Sequence, residues 1–160
     1  MHYGGQWNDH FLTKEQMDNG IGNTDVVGVI VTYNRLALLK ETVGAVMGQT
    51  CPLRKTIIID NHSTDGTAEY LASIGGNKAI ETVRLATNTG GAGGFAEGIR
   101  RAALCSPGWI WVMDDDTVPA PDAVERMVPF MGCSGVGFLN SKVVWTDGSL
   151  HLMNLPSRID

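Results

Sequence analysis

The sequence predicts an α/β domain, a mostly parallel sheet with helices on both faces. Two observations carry that expectation. Four short apolar runs ("VVGVIVT", "RKTIIID", "IETVRLATN", "GWIWVMD") alternate with segments of helical periodicity, the pattern of βαβ units. Each run also ends in a polar cluster: "TYNR", "DNHSTDG", "NTGGAGG" and "DDDT" in turn. Functional loops of parallel sheets gather at the carboxyl ends of the strands, so all four clusters are expected along one edge.

Residues 1–25 are polar, rich in Gly and Asn and without periodicity, and read as a tail or the stub of a preceding segment. The domain proper spans 26–160 and opens on the strand "VVGVIVTYNR". In "LALLKETVGAVMGQ", Leu36, Leu39, Val43, Val46 and Met47 fall on one helical face, and Asn34 is placed to cap that helix. "RKTIIID" is a short buried strand. The loop "NHSTDGT" follows, with Ser63 and Thr64 read as helix caps and Asp65-Gly66 as a turn, and then "AEYLASIGG" as a short helix. "IETVRLATN" reads as a strand, "TGGAGG" as a loop and "FAEGIRRAALC" as a helix. After "GWIWVMD", the segment "PDAVERMVPFM" begins with Asp122 and Glu125 in capping-box spacing, which predicts another short helix. "VGFLNSKVVWTDG" is expected to add one or two strands.

Bulk properties narrow the function. A chain of 160 residues, 43% hydrophobic and 18% charged, can bury a core without covalent staples. Its net charge of −5 excludes a general nucleic-acid surface, which needs a basic field. An anionic substrate must therefore be met locally, by a cation or by backbone N–H groups. Cys51, Cys105 and Cys133 stand far apart with no CxxC, as in a reduced, intracellular protein. No apolar run reaches the roughly 18 residues of a membrane span, and the opening residues lack a secretory leader. A cytoplasmic location is the expectation.

The chemistry concentrates in "WIWVMDDDTVPAP". Asp114, Asp115 and Asp116 repel one another, and the bland alternative is a solvated acidic turn. Hard cations such as Mg²⁺ or Mn²⁺ use one or two carboxylates plus substrate phosphate oxygens. On an extended segment, positions i and i+2 project to one side, so Asp114 and Asp116 can share an ion while Asp115 points elsewhere, toward a hydroxyl. Asp60, with Asn61 beside it, suits a nucleobase N–H or a ribose hydroxyl. The glycines of "NTGGAGGFAEG" let backbone N–H groups approach a phosphate or sugar. They also support a rival: Gly91, Gly93 and Ala96 form G-x-G-x-x-A with Asp114 further on, close to the dinucleotide-binding fingerprint of an oxidoreductase. Asp115 and Asp116 would be surplus there, and two strand–helix units precede the pattern.

Taken together, "VVGVIVTYNR", "IIIDNHSTDGT", "NTGGAGGF" and "WVMDDD" resemble, in order, the motifs of inverting nucleotide-sugar glycosyltransferases of the large family-two group, which have the GT-A fold. The combination of "NTGGAGGF" with "MDDD" is most similar to the galactofuranosyl- and rhamnosyltransferase-like branch, builders of bacterial cell-surface polysaccharides on lipid carriers. The resemblance implies that Thr32, Tyr33, Asn34 and Arg35 flank the nucleotide, that Asp60 contacts the base, and that Asn88, Gly90 and Gly91 form the donor loop. Asp114 and Asp116 correspond to the ends of the DxD motif and imply Mn²⁺ or Mg²⁺, with Asp115 near the ribose or donor sugar. The implied partners are a UDP- or dTDP-sugar and a glycan or lipid-linked glycan acceptor. Peripheral work of a full-length enzyme at the inner membrane face would fit the lipid-linked acceptor.

One departure stands out. The family's catalytic base normally lies on an acceptor-side helix well beyond the DxD motif. The only acids after Asp116 are Asp122, Glu125, Asp147 and Asp160, none in a convincing context. The expectation is a donor-binding half, incomplete at its C-terminus, with the base beyond residue 160. A non-catalytic sugar-nucleotide-binding homologue is the further alternative.

Overall fold

The computed structural model describes residues 24–145 and 147–149; the expected tail lies outside them except for Thr24 and Asp25, which belong to the first strand instead. Four parallel strands form one sheet: β1 (Thr24–Thr32), β2 (Leu53–Asp60), β3 (Ile80–Arg84) and β4 (Trp109–Asp114). Helices α1 (Leu36–Met47), α2 (Thr67–Ile74), α3 (Gly90–Leu104) and α4 (Ala123–Met131) alternate with them. The spatial order is β3-β2-β1-β4.

Strand periodicity divides the core in two. On one face Val26 and Ile30 of β1, Ile58 of β2 and Met113 of β4 meet Leu39, Val43 and Val46 of α1, Leu71 of α2 and Val124 of α4. On the other, Val27, Val29, Val31, Ile57 and Ile59 lie under α3, against Ala102 and Phe95. Strands buried on both faces explain the near-continuous Val/Ile runs. Met47, expected on the core face of α1, is exposed instead.

The "TGGAGG" run differs from the expectation: it is helical, and forms the first turns of α3. A Cβ on Gly94 would stand 2.5 Å from Val31 Cγ1, and one on Gly98 2.4 Å from Val29 Cγ1. These two positions, one helical turn apart, lower α3 directly onto β1. Sheet contact offsets the poor helix propensity of glycine.

Helix starts also differ. Asn34 does not cap α1, because its side-chain oxygen accepts from Thr64 N–H. The Leu36 N–H is met instead by Asp65 Oδ2 at 2.9 Å, while Asp65 Oδ1 accepts from Thr67 N–H and Oγ1. One carboxylate thus serves the first turns of two helices, and Ser63 and Thr64 cap neither. The spacing of Asp122 and Glu125 does not produce a capping box. Asp122 pairs with Arg126, Glu125 accepts from Thr50 Oγ1, and Gln49 Oε1 takes the Val124 N–H.

Among the described residues no strand follows β4; only an isolated bridge occurs, at Val144. Phe138 and Trp145 are exposed, so the apolar character of this segment finds no neighbouring strand there. Among the described residues no helix is long and apolar enough to cross a membrane.

Candidate functional site

From β1 the chain steps outward through β2 to β3, then returns to the opposite side of β1 as β4. The loops leaving β1 and β4 therefore diverge, and such a reversal is where ligand crevices form in α/β sheets. A cleft of about 290 Å³ opens at this point. The end of β1 contributes Val31, Thr32, Tyr33 and Arg35, and β2 contributes Asn61. Asn88, Gly90 and Gly91 come from the start of α3, and Asp114 and Asp115 from β4.

The three acids part company because the strand ends among them. Asp114 is the last residue of β4, opposite Val31 in the register, and a turn follows, with Thr117 N–H donating to the Asp114 carbonyl. Extended geometry thus stops before Asp116. Asp115 continues the inward parity of Met113 and is only 3% exposed. Its Oδ2 accepts from Thr32 Oγ1 at 2.7 Å, and its carbonyl accepts from Thr42 Oγ1 of α1 at 2.8 Å. The hydroxyl it meets belongs to the protein. Arg35 Nη1 lies 2.8 Å from Asp116 Oδ2 and 3.4 Å from Asp115 Oδ1. Asp116 is exposed beside the cleft rather than part of its lining.

Charge in this corner is unbalanced. Desolvation, then the nearby Asp116 and Asp115 carboxylates, push the Asp114 carboxyl above its ordinary value, with Arg35 acting in the opposite sense. Among the described residues no three His, Cys, Asp or Glu side chains form a complete metal cage. Asp114 and Asp116 nevertheless supply hard oxygen donors in a place short of positive charge, which suits a divalent ion completed by substrate oxygens.

The floor of the cleft is glycine. A Cβ on Gly90 or Gly91 would meet nothing within 4 Å, and Gly90 takes a left-handed conformation with φ +71°. Asn61 fixes this floor to the sheet: its amide nitrogen donates to the Gly90 carbonyl, and its oxygen accepts from Thr89 N–H. Asn88 Oδ1 accepts from Gly90 N–H. The sequence singles out Asn61 only beside Asp60, for a nucleobase or ribose; its side chain instead anchors the glycine floor. Val31 was missed because an apolar strand residue carries no polar signature.

Asn34 and Asp60 stand outside the cleft lining. Asp60 is fully buried, accepting from Ser63 N–H at one oxygen and from Arg84 at the other. Asn34, at φ +54°, links the loops after β1 and β2 through Ser63 and Thr64.

The topology also decides against the dinucleotide reading. In that fingerprint the glycine turn and the acid belong to adjacent strands of one βαβ unit. Here the glycines follow β3 and Asp114 ends β4, at opposite edges of the sheet.

Residues 29–158 match the profile of Glycosyl transferase family 2. The chain belongs to that family. It is 34% identical over 105 residues to the galactofuranosyltransferase GlfT1 of Mycolicibacterium smegmatis, covering 64% of this chain and 33% of that protein. It is 31% identical over 100 residues to the poly-beta-1,6-N-acetyl-D-glucosamine synthase of Staphylococcus epidermidis, over 62% of this chain and 24% of that one. Among solved structures, the mannosyltransferase PcManGT from Pyrobaculum calidifontis, in complex with GDP-Man and Mn²⁺, superposes with a TM-score of 0.62 at 24% identity, over 72% of this chain and 34% of its own. S. aureus TarS 1–349 in complex with UDP-GlcNAc gives 0.59 at 17% identity, over 73% and 37%. The GT-A fold expected from the motifs is borne out, and the similarity to GlfT1 agrees with the expected galactofuranosyl- and rhamnosyltransferase-like branch. The family-two chain spans 33% or less of the length of these two curated relatives.

Proposed function

We propose that this chain is the donor-binding part of an inverting glycosyltransferase, moving a sugar from a UDP- or dTDP-sugar to a glycan or lipid-linked acceptor in bacterial surface-polysaccharide synthesis. The observation that carries this reading is the meeting of an under-neutralised acidic turn with an open glycine floor at the point where the sheet reverses. Similarity to a galactofuranosyltransferase and a poly-beta-1,6-N-acetyl-D-glucosamine synthase, and a structural neighbour holding GDP-Man and Mn²⁺, support it. The cleft, about 290 Å³, stands at the lower limit of the roughly 300–1,000 Å³ typical of small-molecule sites. It therefore suits the diphosphate and adjoining ribose better than a whole sugar nucleotide.

In this reading Gly90 and Gly91 let the diphosphate come close to backbone, and Tyr33, 44% exposed, presents its ring at the mouth. Asp114 and Asp116 would hold Mn²⁺ or Mg²⁺, which when bound neutralises charge on the departing diphosphate. Thr32 and Thr42 fix Asp115, and through it the turn that aims the flanking acids. Asp60 and Asn34 act as frame. The base that takes the acceptor proton is not supplied by Asp122, Glu125 or Asp147, whose carboxylates serve Arg126, Thr50 and Ser149.

Calorimetry with UDP and Mn²⁺ on wild type and Asp116→Ala tests the proposal. UDP should bind only with the cation, and the variant should lose most of that affinity; equal affinities defeat the reading. The same 160 residues should transfer little or no sugar to a glycolipid acceptor, and robust turnover would show that the base is already present.

A further inference from the structure

We propose that Arg35 is a tethered stand-in for the divalent ion. It neutralises the acidic turn while no ion is bound, and transfers to the donor diphosphate once an ion takes the acids. The inference rests on the metal-dependent reading above and adds a coupling between the two ligands of that site.

Arg35 touches both halves of the site. Its Nη1 bridges Asp116 Oδ2 and Asp115 Oδ1 at 2.8 and 3.4 Å, and the same side chain lines the cleft with Gly90 and Gly91. The other arginines with described ion pairs are engaged elsewhere: Arg54 with Asp25, Arg84 with Asp60, Arg100 and Arg101 with Glu97, Arg126 with Asp122. Arg35 is also easily released. Its side chain is 51% exposed and that of Asp116 48%, and such exposed pairs are held weakly. It directly precedes α1 and makes no side-chain cap bond there.

Both cations call on the Asp116 carboxylate, so an ion at Asp114 and Asp116 competes with the guanidinium there and repels it. The planar fork of Arg35 matches a phosphate better than a single carboxylate edge. Ion binding therefore releases the group that best holds the diphosphate, and each ligand strengthens the other by the same factor. If Arg35 served only to brace the turn, its loss would weaken both ligands. A stand-in predicts opposite signs.

The test is calorimetry on the 160-residue chain with Arg35→Met, which keeps an apolar stem, and Arg35→Lys, which keeps the charge. With Mn²⁺ alone, Arg35→Met should bind about five-fold tighter than wild type, and Arg35→Lys close to wild type. With saturating Mn²⁺, UDP should bind Arg35→Met about ten-fold more weakly. Unchanged or weaker Mn²⁺ affinity in Arg35→Met overturns the proposal, as does unchanged UDP affinity. If wild type binds UDP equally well with and without Mn²⁺, the metal-dependent reading fails and this inference with it, a result distinct from the other two.

Discussion

Gly98→Ala gives a sharp test of how α3 is seated. The new Cβ would lie 2.4 Å from Val29 Cγ1 and 3.2 Å from Ile59 Cγ1. Val29 and Ile59 are fully buried in strands that pair in the middle of the sheet. Both are β-branched and stiff at χ1, so neither can swing aside, and α3 must lift or β1 must shift. Overpacking of this kind costs about 1–3 kcal/mol, with the contact distance pointing to the upper end. Replacing a helical glycine by alanine returns about 0.8–1 kcal/mol. The net expectation is a loss of about 1–2 kcal/mol, a fall of about 2–8 °C in Tm at about 2–4 °C per kcal/mol for a domain of this size. Thermal and urea unfolding followed by circular dichroism read it, and Val29→Ala in the same chain should recover at least about 1 kcal/mol of coupling. A Gly98→Ala protein as stable as wild type, or costs that simply add in the double variant, would refute the close seating of α3 on β1. Gly91→Ala is the matched contrast. With open space around its Cβ, stability should stay within about 0.5 kcal/mol while the added methyl in the cleft weakens UDP binding several-fold.

Two further outcomes follow from the acidic turn. The Asp114 carboxyl is held above its ordinary value of 3.8 in the fold, so the native state takes up its proton more readily than the unfolded chain. Its charge costs stability once the pH has risen through the raised native value, and costs nothing below the ordinary one. Asp114→Asn should therefore stabilise the fold at about pH 7 without metal, by less than about 1 kcal/mol for so exposed a group, and the gain should shrink in acid; a destabilised variant at neutral pH would contradict the crowding. Thr42→Val removes the buried hydroxyl that donates to the Asp115 carbonyl. It should cost about 1–2 kcal/mol and weaken Mn²⁺ binding, although Thr42 touches no ligand. A melt and a Mn²⁺ titration both indistinguishable from wild type would remove Thr42 from any role in aiming the turn.

Much of this architecture is legible in the residues because its signals are local. Apolar runs closed by polar clusters place β1 to β4 and their loops, and one family of motifs in order points to the shared edge. What stays hidden depends on partners distant in sequence. Helix caps are an example: Asn34 has the right chemistry for α1, yet Asp65 is better aimed at Leu36 N–H from another loop. The glycine run reads as a loop by propensity, and only the proximity of Val29 and Val31 shows why Gly94 and Gly98 are helical. In the acid triplet, alternation correctly turns Asp115 away from its neighbours, but extended spacing fails at Asp116 because the chain turns. The segment around Phe138 and Trp145 looks strand-like, but among the described residues it forms only an isolated bridge at Val144, and Trp145 N–H turns back to the Ser149 carbonyl. Asn61 stands out beside Asp60, but its reach across to Gly90 is hidden because that partner is distant in sequence.

The central place of β1 has a consequence for biosynthesis. This strand leaves the ribosome first of the four, yet its second neighbour, β4, emerges only roughly 80 residues later, on the order of four to sixteen seconds at about 5–20 residues per second. Throughout that interval "VVGVIVT", with no charge to deter self-association, has one flank without its final neighbour. Yield in the cell should depend on how quickly the nascent chain is shielded, and slowing translation between β3 and β4 should send more of it into aggregates.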